Sequence, residues 1–292
     1  MPLGDAGLTP DMFKTVHLVS DFNKSLYLDR QSLAFRPNLV FVEETGRIVF
    51  EINELGLKGD TRDAARRLAV VWGESVVFGI GKGWPCLLDE LDPGYQFLNA
   101  GIEGDHYLNI LRRAGAFNRR HDVALNLLML GWHPFQRIPR RWTRRPANRT
   151  LRADLTAFLA ETPNTVLLTM PTALNREIIK RDLSASFVSE HDPDRYFTFY
   201  GAARYSVSIQ RETFDYIVER NAIAREVCAS RNVRVVDLFE VFNTTRIADF
   251  RQDFMDVVHP HVHAYPAMAR AVYNGIADLL ARPIALEGIS RS

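Results

Sequence analysis

Ser75 ends a strand-forming run, "VVWGESVVFGIGKGW" (residues 70–84), with glycines following at 79, 81 and 83. A serine hydroxyl attacks an acyl carbon only when a base takes its proton and a further group orients that base. Asp256-Val257-Val258-His259-Pro260 offers both within one turn, because a carboxylate three residues before a histidine can reach its ring. Glu103-Gly104-Asp105-His106 has a similar spacing, and an ordinary surface Asp/His pair explains either. The same region suggests a second chemistry. His259, His261 and His263 alternate, so on an extended strand they would share one face as metal ligands do, with Asp256 as a fourth ligand.

Other readings of the glycine-rich stretch fail on spacing. A phosphate-binding loop needs glycine at Val76 and Ser or Thr at Gly83. A dinucleotide fingerprint needs unequal glycine spacing, and the nucleophile elbow G-x-S-x-G needs glycine at Val77. What remains is a nucleophile or a plain turn with a helix N-cap. "RIPRRWTRRPANR" (137–149) sets six arginines around Trp142. It reads as a solvated basic loop, or as guanidinium recognition of a phosphate or carboxylate through Arg137, Arg140 and Arg141.

The elements that must carry these residues follow from hydrophobic periodicity. "LAVVW", "QFLNA", "VALNLLML", "TVLLTM" and "VRVVDL" are short apolar strands. Amphipathic helices separate them: "WPCLLDEL", "HYLNILRRAGAF", "LRADLTAFLA", "RETFDYIVERNAIAREVCAS" and "YPAMARAVYNGIADLL". That alternation predicts a parallel sheet covered on both faces, which binds ligands at the carboxyl ends of its strands. Ser75, Gly104 and Gly131 all fall at or beyond such ends. Residues 1–60 form a separate N-terminal extension, with a hairpin expected around Glu43-Glu44-Thr45-Gly46, and residues 61–292 form the main domain. Residues 175–208, rich in aromatics, read as a lid-like insertion.

The chain has 292 residues, 47% of them hydrophobic, and a formal net charge of +1. Near-neutrality argues against nucleic acid or an anionic membrane as partner. No apolar run approaches the ~18–20 residues of a membrane span, and no leader pattern opens the chain. Cys86 and Cys228 lie in apolar-periodic stretches and read as core thiols of a reducing compartment. The expectation is a soluble, cytoplasmic protein.

Taken in order, four blocks resemble the SGNH/GDSL hydrolase family. "VVWGESVVFG" is similar to the first block, with Ser75 as nucleophile and Glu74 where the family usually has Asp. "LNAGIEGDH" resembles the second, whose later glycine, here Gly104, gives a backbone N–H to the oxyanion hole. "LLMLGWHPF" aligns with the third, Gly-x-Asn-Asp, but has His133 at the Asn position and Pro134 at the Asp. "DVVHP" with "AYPAMARAV" resembles the last block and its closing helix. The resemblance spans about residues 47–282 and implies a flavodoxin-like α/β three-layer sandwich. Its central sheet has five parallel strands, and here the N-terminal β-hairpin extension is added.

It further implies a cofactor-free serine esterase or deacylase working through an acyl-enzyme. Ser75, Asp256 and His259 would be the triad; Ser75, Gly104 and His133 would form the oxyanion hole. The substrate would be a small ester or acylated molecule, anionic or glycan-linked. The alternatives are a weak or inactive binding protein or acyltransferase on the same fold, and third a metal-dependent hydrolase using His259, His261 and His263.

Overall fold

The computed structural model describes residues 14–17, 28–29, 34–42, 45, 47–132, 135–138, 141–144, 148–173, 207–243, 253–254 and 258–281. Side chains are described for these except at 14–17, 135–138, 141–144 and 207–213.

The core is a five-stranded sheet of β4 (Arg67–Gly73), β5 (Tyr95–Gly101), β6 (Leu125–Met129), β9 (Thr165–Leu168) and β10 (Val235–Val236). Its order is β10-β9-β6-β4-β5 and every pairing is parallel. Numbered within the sheet this is 2-1-3-4-5, the flavodoxin-like doubly wound order, whose switch point lies beside the first strand. The five strands are those the sequence predicts.

Both faces of the sheet are buried, which explains why its strands read as continuous apolar runs rather than alternating ones. Along β4, Ala69 and Val71 face one layer while Leu68, Val70 and Trp72 face the other. The first layer contains a 3₁₀ helix (Trp84–Glu90), α5 (Leu238–Phe242) and α6 (Tyr265–Leu280). The second contains α2 (Tyr107–Asn118) and α3 (Leu151–Glu161). The 24-residue α4 (Val207–Ser230) contributes to both. The segment expected as a helix at "WPCLLDEL" is 3₁₀, with Pro85 in its first turn.

The N-terminal extension forms its own sheet. β2 (Leu39–Val42) and β3 (Ile48–Ile52) make the expected antiparallel hairpin, and β1 (Lys14–His17) adds in parallel to β2. Phe35, Phe41, Phe50 and Ile52 pack there on Phe78 and Ile102 of the main domain. Within the arginine-rich stretch, β7 (Phe135–Ile138) and β8 (Arg141–Arg144) form a hairpin rather than the loop expected. The period-2 signal is hidden in the sequence there, because arginine falls at both odd and even positions of 137–149. Residues 174–206, nearly all of the insertion, lie outside the described residues. No helix among the described residues is long and apolar enough to cross a membrane.

Candidate active site

β4 ends at Gly73, and Ser75 opens the four-residue helix α1 (Ser75–Phe78) directly after it. The turn is tight enough that a Cβ on Gly73 would lie 2.3 Å from a methyl of Val77. Ser75 is half-buried at the carboxyl edge of the sheet, while Val76, Val77 and Phe78 point into the core. A helix this short leaves its last carbonyls without backbone donors, and side chains take that part. Trp84 Nε1 donates to Val76 O (3.0 Å), and Asn99 Nδ2 to Val77 O (2.9 Å). Lys58 Nζ donates to Phe78 O (2.6 Å) and Gly79 O (3.2 Å). Lys58 is only 1% exposed, and its ammonium lies 3.6 Å from the centre of the Phe78 ring. Sequence reasoning missed Lys58, because a lysine ordinarily signals solvent.

His259 arrives from the other end of the chain. Phe254 bridges to Pro260 and the His261 N–H donates to Asp253 O (2.7 Å), tying residues 253–254 to 260–261. Val258, next to His259 in sequence, is fully buried in the core. Tyr265, first residue of α6, accepts the Ile80 N–H at its hydroxyl (2.9 Å), tying this region to the serine turn. The result is a 2.8 Å contact between His259 Nε2 and Ser75 Oγ, across 184 residues of sequence. A hydroxyl and an imidazole at that separation can exchange a proton.

Gly104 follows β5 in a half-buried turn. Among the described residues neither its N–H nor that of Ser75 donates to another group. The rival pair, Asp105 and His106, has structural roles instead. Asp105 is buried in an ion pair with Arg113 (2.7 Å), and His106 Nδ1 accepts the Leu108 N–H to cap α2.

Asp256, His133 and Arg140 lie outside the described residues. Arg137 and Arg141 lie in β7 and β8, paired with Trp142 and Ile138, and their side chains are outside the description. Residues 259–263 do not form the strand that would align three histidines; they turn into a 3₁₀ helix at Val262–Ala264. His263 is exposed there, its ring centre 4.2 Å from that of His261 with the planes tilted by 33°, while His259 is buried. No group of three metal-ligating side chains occurs among the described residues. Burial pushes both thiols, Cys86 and Cys228, up to about 12, so neither is a nucleophile at neutral pH.

Glu74, next to the serine, is fully buried, and its Oε1 accepts the Trp132 N–H (3.0 Å). Burial raises its carboxyl from 4.5 to about 7, against the opposing pull of that N–H, His259 and Arg220. Between those two values the folded chain holds a proton that the unfolded chain has released. Stability therefore falls as pH rises through that window and levels off above it. Thermal melts across the window should show this decline, and Glu74→Gln should flatten it. An equal decline in the variant would assign the slope to another group.

No protein-family model matches the sequence, and neither does any curated protein. Solved structures do. A lipase/acylhydrolase from Enterococcus faecalis matches with a TM-score of 0.50 at 19% identity, over 73% of this chain and 96% of that one. A catalytic mutant of Axe2, an acetylxylan esterase from Geobacillus stearothermophilus, matches at 0.50 and 15% identity, over 76% of this chain and 99% of that one.

Proposed function

From the SGNH/GDSL hydrolase fold that the chain shares with these two enzymes, we propose that it is a serine ester hydrolase acting through an acyl-enzyme. The observation that carries this reading is the 2.8 Å contact between Ser75 Oγ and His259 Nε2 at the carboxyl edge of the sheet. Ser75 Oγ attacks the ester carbonyl carbon while His259 Nε2 takes its proton. The tetrahedral oxyanion is held by the N–H groups of Ser75 and Gly104, with His133 as the side-chain donor. Collapse breaks the bond to the alcohol, which leaves with the proton from His259. Water, deprotonated by the same imidazole, then releases the acid and restores Ser75. Asp256 orients the ring and stabilises its charged form. Residues 61–292 are the catalytic domain in this reading, and Arg137, Arg140 and Arg141 favour substrates that carry an anionic group.

Fluorophosphonate labelling with peptide mapping tests the proposal. The probe reacts when an activated serine displaces fluoride from phosphorus, so label should appear on the peptide containing Ser75. A folded protein that takes no label, or takes it elsewhere, refutes the assignment.

A further inference from the structure

The chain leaves the sheet at the end of β6, beside the strand that carries Ser75, and returns at Asn148 to begin α3. Between Gly131 and Asn148 it makes the β7–β8 excursion, which packs on α2. Both ends of that excursion meet one side chain. Arg220 of α4 donates from Nη1 to Gly131 O (2.7 Å) and from Nε to Asn148 Oδ1 (2.8 Å). It is 1% exposed, with its guanidinium beside the rings of Tyr107 (5.3 Å) and Tyr216 (5.7 Å). Asn148 holds a left-handed backbone (φ 53°) and donates from Nδ2 to Glu219 Oε2 (2.7 Å).

The outgoing end is gripped from the opposite side as well. Glu74 Oε1 accepts the Trp132 N–H, so the peptide between Gly131 and Trp132 lies between a buried carboxylate and a buried guanidinium. Gly131 has φ 70°, and a Cβ there would lie 2.7 Å from Glu74 Cγ, so the fit admits no side chain. A buried arginine is costly unless its donors are matched, and the planar fork suits two acceptors held at a fixed separation.

We propose that Arg220 is a positioning residue: with Glu74 it clamps the base of the 132–147 excursion and thereby fixes the residues it carries relative to Ser75. This rests on the serine hydrolase reading, in which His133 and the arginines of this excursion meet the substrate. An ammonium offers one nitrogen where the guanidinium offers two held at a fixed separation, so Arg220→Lys keeps the charge beside Glu74 and loses the rigid two-point clamp. Asn148→Gly keeps the left-handed backbone and releases one end only.

The test measures p-nitrophenyl acetate hydrolysis and amide hydrogen exchange in wild type, Arg220→Lys and Asn148→Gly. Exchange should accelerate about tenfold or more in 132–147 and not in β4 or β9. The value of kcat should fall by on the order of 10²-fold in Arg220→Lys, as expected for misplaced reacting groups, and less in Asn148→Gly. Unchanged exchange in 132–147, or a loss of kcat no larger than the unfolded fraction seen by circular dichroism, overturns the proposal. Should Arg220→Lys not fold, Asn148→Gly decides by the same criteria. If the wild type hydrolyses nothing and takes no fluorophosphonate, the hydrolase reading fails, and exchange alone still decides the clamp.

Discussion

Under the proposed serine hydrolase reading, Ser75→Ala and His259→Ala should each lower ester hydrolysis by about 10⁴-fold or more while leaving the fold intact. In the proposed mechanism the two groups act as one unit across their 2.8 Å contact, so the double variant should be little worse than either single one. Ser75 lies at the edge of the sheet with its hydroxyl outside the core, and the alanine β-carbon fills the same space, so stability should be nearly unchanged. His259 is more enclosed, and its removal should cost some stability as well. Asp256→Ala should be milder, because an orienting carboxylate makes and breaks no bonds. Steady-state kinetics on an aryl ester with circular dichroism of each variant provides the check. Full activity in Ser75→Ala would move the chemistry to another residue.

Gly101→Ala should lower the proposed activity too, though less, from outside the proposed reacting groups. A Cβ at position 101 would lie 2.2 Å from the backbone N of Phe78, 2.6 Å from its Cα and 2.8 Å from Val77 C. These are main-chain atoms of α1, not the movable end of a side chain, so the helix itself must shift. Overpacking of this kind costs about 1–3 kcal/mol. A displacement of about 1 Å at Ser75 can cost about 10²-fold in rate. Gly81 supplies the control, since nothing lies within 4 Å of a Cβ there. Its φ of 59° makes Gly81→Ala cost about 1–2 kcal/mol through backbone strain alone, with kcat retained. Urea denaturation and kcat measured on both variants separate the effects. Equal kcat for the two would mean that the Gly101 contact does not position the serine.

The sheet was legible because its strands are buried on both faces and separated by well-patterned helices. Hydrophobic runs then mark strands without ambiguity, and "LAVVW" and "TVLLTM" fall where β4 and β9 lie. The pairing of Ser75 with His259 was accessible only through the order of the four blocks, since nothing local at either residue names the other. Three other features were illegible for physical reasons. Lys58 and Arg220 are buried charges, and composition assigns charges to the surface. The stretch that forms β7 and β8 mixes arginine with apolar residues without a period-2 alternation. The 3₁₀ helix at Trp84–Glu90 has the apolar content of an α-helix, and Pro85 fits the first turn of either form.

Lys58 has a bearing on how such a chain can change over time. Its backbone pairs with Asn99 on the sheet's edge strand, and its ammonium carries the carbonyls at the end of the serine's helix. Phe50 and Phe78 enclose that ammonium from the extension and the main domain respectively. A relative that has shed the N-terminal strands would lose half of this enclosure and expose the rest to water. It would need a new donor for the Phe78 and Gly79 carbonyls, or a longer helix that satisfies them internally. Positions 50, 58 and 78 should therefore be inherited as a set, with lysine and the two aromatic rings kept together or replaced together.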